Sequence, residues 1–357
     1  MAIGFSRKQL HTREAGTYAG TASSGAGTGR PHANAPRAYL RRSSRRSGAT
    51  TNQLTDPPEN RGRTLGGPQV RLLEDAGQCD REIPCGVGVF GGVERPGLVV
   101  RGGVVFVAVV VWWLVLTRGV SAVFGAEYTH GLHILRALGA TLVTVPLIYA
   151  ARRWLDRRPW SGLEWTSFAR GWRQFLFGAA CWAVPAGVTA AVLLGLGWAD
   201  IDPRTSLPRT LLSLAGLVVL VLLFEAIPEE LIFRGYFFAN LRERYSAAVT
   251  VVGQAALFTA WGVLHGSATT IDRIVLFFVF ALVLGALRAK TGSLWTSIGF
   301  HAAFQVTTQF LATNHWNNIA LHDPDLAMGG LAFVVAPFLA TAAVLLAAQG
   351  IRGWSRS

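Results

Sequence analysis

Residues 211–235 read LLSLAGLVVLVLLFEAIPEELIFRG, and their first part, 211–224, contains no charged residue. An apolar run of about twenty residues, folded as a helix, spans the roughly 30 Å hydrocarbon core of a bilayer. Similar runs recur from Val99 onward. They predict an all-α membrane bundle of about eight transmembrane helices, near residues 99–117, 132–151, 174–197, 208–227, 246–265, 271–289, 293–312 and 329–350.

The composition agrees with a membrane protein. Of the 357 residues, 51% are hydrophobic and only 15% are charged, which is too few charges for a soluble surface of this size. Membrane lipids are therefore the first expected partner. The net charge of +13 comes without a basic stripe interleaved with aromatics, so no nucleic-acid partner is expected. The three cysteines, Cys79, Cys85 and Cys181, are too few and too scattered for a disulfide framework.

The chain divides into four predicted segments. Residues 1–96 are rich in Gly, Ser and Arg and lack apolar periodicity, so they predict a disordered basic tail. This tail has two interpretations, an arm that touches anionic lipid or a simple solvated extension. The first transmembrane helices occupy 97–200, a catalytic core occupies 201–315, and 316–357 hold the last helix and a short tail.

Arginines predict the orientation of the bundle. The loop between the second and third runs contains six arginines, at positions 152, 153, 157, 158, 170 and 173, against Asp156 and Glu164. By the positive-inside rule this loop is cytoplasmic, and counting helices from it places both termini on the same side. Arginine supplies nearly all the basic residues, as in a GC-rich genome, which favours a bacterial plasma membrane.

The first candidate site residues are Glu229 and Glu230, which lie between apolar stretches. An ionised carboxylate at membrane depth is costly unless it is paired, so such residues indicate a functional site. Helical spacing places Glu230 and Arg234 on one face, where they can pair, and turns Glu229 about 100° away from them. The alternative interpretation is an ordinary helix N-terminus at the membrane interface.

Two histidines follow within apolar runs. His265 closes the run that begins near Ser246, and His301 lies inside the run that begins near Gly292. Gln305 lies one turn after His301 on the same face. A rise of 1.5 Å per residue puts Glu229 about 22 Å, His265 about 28 Å and His301 about 14 Å from the helix ends on the cytoplasmic side. These depths permit one cavity only if helices tilt, kink or break.

Three motifs carry a resemblance to a known family. The sequence contains Glu229-Glu230-x-x-x-Arg234, Trp261-x-x-x-His265 and His301-x-x-x-Gln305, in this order on successive apolar runs. It therefore resembles the CPBP family, the CAAX-protease and bacteriocin-processing (Abi-type) membrane proteins that include the type II CAAX prenyl endopeptidases. The resemblance covers about residues 205–312, and the third motif departs from the family pattern by having Gln in place of Asn.

The resemblance implies an intramembrane endopeptidase that acts on membrane-associated proteins or peptides. Glu229 would activate water and His265 would assist the proton transfer or hold that water, while His301 and Gln305 would stabilise the oxyanion. We expect no cofactor, with zinc held by Glu229, His265 and His301 as the alternative, since one carboxylate and two imidazoles match a catalytic zinc ligand set.

Two further classes of protein fit the same residues. In a membrane transporter or a bacteriocin-immunity protein, the glutamates and histidines would bind ions or a partner. In a scaffold with decayed catalysis, they would be remnants of a former site. The complete set of three motifs argues against decay, and the lack of an internal repeat argues against transport.

Overall fold

The computed structural model describes residues 95–312, 315–316, 318–323, 325 and 327–354, with the backbone alone at 312 and at 348–354. The predicted tail, up to residue 94, lies outside the described residues. The described part contains eight long helices, α1 Leu98–Phe124, α2 His130–Leu155, α3 Phe168–Gly195, α4 Leu207–Arg242, α5 Ala247–Leu264, α6 Ile271–Thr291, α7 Leu294–Ala312 and α8, which joins the π-helical turn Met328–Val335 to Ala336–Trp354.

Two short strands connect helices at one end of the bundle, which we call the strand end. Strand β1, Asp200–Pro203, precedes α4, and strand β2, Ile319–His322, follows α7. The strands pair antiparallel, with Asp200 opposite His322 and Pro203 opposite Ile319. A 3₁₀ turn, Trp160–Leu163, precedes α3 at the opposite end, which we call the arginine end.

The surface of the bundle is apolar, as expected for a protein surrounded by lipid. Seven helices of the described part are long and apolar enough to cross a membrane, all except α7. Large aliphatic side chains face outward, among them Val99, Leu212 and Ile271, which are 86%, 74% and 81% exposed. A soluble protein does not present such a continuous apolar surface to water. The chain is therefore a multi-pass membrane protein.

Helix α7 differs from the others because it lies inside the bundle. From Leu294 to Phe310 most of its side chains are buried, and it packs closely against α3. A Cβ atom added at Gly178 of α3 would lie 1.9 Å from the carbonyl oxygen of Thr296, and one added at Gly299 would lie 2.0 Å from that of Phe175. Glycines thus let the two backbones touch, as small residues do at many membrane helix interfaces. A helix covered by protein can carry polar residues.

Helix α4 is interrupted by two π-helical turns, at Leu222–Ala226 and Leu231–Phe237, on either side of the glutamate pair. Pro228 cannot donate a backbone hydrogen bond, and local π geometry is a common response to such a defect. The hydroxyl of Thr141, on α2, donates instead to the freed carbonyl of Leu223. The prediction that this helix ends near residue 227 was wrong, since the charged residues beyond it are compensated inside the protein and the helix continues to Arg242.

A buried carboxylate ties three helices together at the arginine end. Asp156 accepts hydrogen bonds from Arg101 of α1 at 3.3 Å and from Arg152 of α2 at 3.0 Å. Tyr236 and Asn240 of α4 donate to the same carboxylate at 3.2 and 2.9 Å. Two arginines and two neutral donors satisfy this acid, so the cluster stabilises the bundle although it lies in its interior.

We expect Gly178→Ala to lower the thermal unfolding temperature of the purified protein. The added methyl group would meet the backbone of α7, which cannot rotate away, and overpacking of this kind costs about 1–3 kcal/mol. Gly187→Ala is the matched control, because Gly187 is exposed on the same helix and an added Cβ there meets nothing within 4 Å. Equal unfolding temperatures for the two variants would contradict the close approach of α3 and α7.

Candidate active site

The site begins with an ion pair that is fully buried. Nη1 of Arg234 donates to Oε1 of Glu230 at 3.0 Å, and both side chains have no exposed surface. The pair is the predicted one, four residues apart on α4. The guanidinium also lies over the ring of Phe258 of α5, 4.7 Å from its centroid. Pairing and ring contact reduce the cost of removing both charges from water, while Nε and Nη2 of Arg234 have no hydrogen-bond partner among the described residues.

His301 of α7 completes this pair on its other side. Its Nδ1 lies 3.0 Å from Oε1 of Glu230, and the ring of Phe280 from α6 packs edge-to-face against the imidazole, with centroids 5.0 Å apart. An arginine-paired carboxylate can only accept hydrogen bonds, so Nδ1 is assigned as the donor. In the neutral imidazole the free lone pair is then on Nε2.

Glu229 faces that second nitrogen. Its Oε2 lies 3.8 Å from Nε2 of His301, so the imidazole lies between the two adjacent glutamates, which a turn of about 100° would separate on an isolated helix. Both atoms are buried and lack a hydrogen-bond partner among the described residues. The amide oxygen and nitrogen of Gln305 are also buried and unpartnered there. Buried polar atoms without partners are rare in proteins and mark a place where function is worth seeking.

His265 does not join this group. It follows the last residue of α5, at the strand end, where Nδ1 lies 2.7 Å from the carbonyl oxygen of Trp261 and Nε2 lies 2.6 Å from Oγ of Ser267. Burial lowers the pKa of His265 to about 4, so the imidazole is neutral at neutral pH. Within the described part of the chain, aromatic rings lead from it toward the site, since its ring packs on Trp261 and Trp261 packs on Phe233. Its catalytic role therefore stays a prediction.

The same geometry tests the zinc alternative. Among the described residues, no group of three or more His, Cys, Asp or Glu side chains is placed to hold a metal ion. Glu229 and His301 are close to each other, but both nitrogens of His265 are occupied by other contacts. The described geometry does not fit a zinc site made of these three side chains.

Two polar residues beside the site were missed by the sequence analysis. Glu225, one turn before Glu229, is buried and accepts a hydrogen bond of 2.7 Å from Nε2 of Gln309. The signal was present in the sequence, because His301, Gln305 and Gln309 recur at intervals of four on one helical face. Glu225 likewise precedes Glu229 by four residues.

A comparison with protein families finds a match for the segment that contains these residues. Residues 211–307 match the Rce1-like family. The family is described as type II CAAX prenyl endopeptidase Rce1-like, and the match confirms the resemblance indicated by the motifs. It covers well under half of the chain but includes all six predicted site residues, which are Glu229, Glu230, Arg234, His265, His301 and Gln305. No curated protein and no solved structure matches the chain.

We expect Arg234→Met, in the Rce1-like segment, to destabilise the protein strongly. Loss of the guanidinium leaves Glu230 as an uncompensated buried charge, and breaking a buried pair in this way costs about 3–5 kcal/mol. The double variant Glu230→Gln, Arg234→Met removes both charges and should be more stable than Arg234→Met alone. Thermal unfolding in detergent measures both. A double variant less stable than the single one would contradict this account of the pair.

Proposed function

We propose that the protein is an intramembrane endopeptidase in which Glu229 activates a water molecule for attack on a peptide bond. The observation that carries the proposal is the imidazole of His301, which lies between Glu229 and the Glu230–Arg234 pair. The match to a peptidase family supports the same class of reaction. Buried acids and bases with opposite tasks, held within a few ångström of each other, are typical of hydrolytic sites.

The residues divide the reaction between them. Glu229, as general base, takes a proton from water as the oxygen attacks the carbonyl carbon, and later gives this proton to the leaving amine. For His301 to donate to the oxyanion, its Nε2 must hold a second proton, which it takes up from solvent before the attack and keeps through the cycle. The amide of Gln305 supplies a second donor. The carboxylate of Glu230 bonded to Nδ1 stabilises the resulting imidazolium, as a buried acid does in hydrolases with a catalytic triad.

The location of the site suggests its substrate class. The five residues of this group are all buried between helices of a membrane bundle: Glu229, Glu230, Arg234, His301 and Gln305. A substrate therefore reaches them most directly from the bilayer. We therefore propose membrane-associated proteins or peptides as substrates, in the plasma membrane of a bacterium. The family name refers to prenylated CAAX proteins, and a lipid-modified peptide is accordingly the first substrate to try.

Glu229→Gln should lower peptide cleavage by about 10² to 10⁴, because glutamine keeps the shape of the side chain but cannot act as a base. The unfolding temperature should change little. Cleavage of lipidated and unmodified peptides by the purified protein measures the first quantity, and His322→Ala, an exposed position in β2, provides the control. Full activity in Glu229→Gln would remove this residue from the mechanism.

We also expect a chelator to leave peptide cleavage unchanged. The proposed steps use only protein side chains and water, and the described residues do not gather the three ligands of the zinc alternative. The measurement is the same cleavage assay with and without chelator, together with the metal content of the purified protein. Inhibition that zinc reverses, with bound metal lost in His265→Ala, would support the zinc alternative instead.

A further inference from the structure

A row of polar side chains leads from the buried glutamates toward the strand end. Glu225 lies on α4, one turn closer to the strand end than Glu229. It is only 3% exposed and interacts electrostatically with Glu229. Gln309, on α7, donates to its Oε2 at 2.7 Å. Both residues lie outside the group around His301, and the proposed hydrolysis assigns them no task. A third buried glutamate at membrane depth, after Glu229 and Glu230, needs an explanation of its own.

On α2, the next member of this row is His133. This buried imidazole packs edge-to-face against Phe224, with centroids 5.8 Å apart, and interacts electrostatically with the neighbouring Glu225. Its Nδ1 lies 3.0 Å from the hydroxyl of Tyr128, in the loop between α1 and α2. Tyr128 in turn stacks on His315, whose centroid is 4.1 Å away and whose side chain is exposed. Polar groups therefore extend from the site to the surface at the strand end.

The protonation pattern of the outer part suits the conduction of water or protons. Burial raises the pKa of Tyr128 to about 12, so its hydroxyl remains protonated where it meets Nδ1 of His133. A neutral His133 holds a proton on one ring nitrogen and a lone pair on the other, whichever way this bond runs. A side chain that accepts a hydrogen bond on one nitrogen and donates from the other can link groups on its two sides.

Aromatic rings enclose the other sides of the site. On α4 and α5, Phe233, Phe258 and Trp261 contact one another, with Phe233 and Phe258 5.1 Å apart. Toward α6, α7 and α8, another set of mutually packed rings closes the bundle: Phe280, Phe300, Phe304 and Phe338. The polar atoms beyond Arg234, at the arginine end, belong to the Asp156 cluster, whose carboxylate is occupied by four donors.

We propose that Glu225, Gln309, His133 and Tyr128 form a solvent route between the buried glutamates and the strand end. Hydrolysis consumes water, and a site enclosed by rings and lipid needs a polar passage to replenish it. The need for water rests on the proposed hydrolysis, whereas the route itself is a property of access that is measured without peptidase activity. By the predicted topology, the strand end faces away from the cytoplasm.

Thiol labelling tests this route directly. In a full-length chain with Cys79, Cys85 and Cys181 replaced by serine, single cysteines are introduced by Gln309→Cys, on the route, and by Ala226→Cys, the control. Ala226 follows Glu225, is fully buried, and packs in the apolar core. A charged methanethiosulfonate that cannot cross membranes is applied to either side of sealed vesicles. Asp202→Cys and Arg158→Cys, at exposed positions, report which end of the bundle the reagent meets.

Gln309→Cys should react about tenfold faster than Ala226→Cys, since only a hydrated thiol ionises readily, and should do so on the side that labels Asp202→Cys. His133→Cys is the second reporter if Gln309→Cys unfolds on heating earlier than the parent protein. Equal, slow labelling of a folded reporter and of the control would overturn the route. So would labelling only from the side that modifies Arg158→Cys. A protein without peptidase activity could still pass this test, so the two proposals fail separately.

Discussion

The structure depends on the compensation of charge where water is scarce. Glu230 and Arg234 would each cost several kcal/mol in the interior of a bilayer, and they persist because they bond to each other and to groups on other helices. This constraint fixes the position of α4 relative to α7, since His301 must reach Glu230. It also places the pair at the centre of the bundle, where lipid cannot contact it.

The close packing of α3 and α7 follows from the same constraint. A helix with His301, Gln305 and Gln309 on one face needs protein around it. Helices α4 and α6 contact this polar face, and the close contacts at Gly178 and Gly299 bring α3 against the helix as well. On α4, which faces the polar side of α7, the two π-helical turns also follow from this constraint. They carry the chain past Pro228 without ending the helix, so both glutamates remain on a rigid element.

Most of the fold could be predicted from the sequence because apolar runs reveal membrane helices directly, and all eight runs became helices. The end of α4 could not, since Glu229, Glu230 and Arg234 look like a boundary until their partners on α7 are known. The site was partly predictable: helical spacing paired Glu230 with Arg234, but nothing in the spacing indicated that His301 would lie between the glutamates. His265 has the right motif, yet its position at the end of α5 gives it other partners. The partners of a side chain on other helices depend on how the helices pack, and the hydrophobic periodicity of a sequence does not specify this packing.

The burial of α7 has a consequence for biogenesis. A segment enters the bilayer on its own only when its side chains prefer lipid to water, and α7 is the one described long helix that does not meet this requirement by length and hydropathy. We expect its partition into the membrane to be coupled to helices already in place, above all α3, which packs closely against it at Gly178. The helix that carries His301 would then be among the last to settle, and the cluster around Glu230 would form only in a fully assembled bundle.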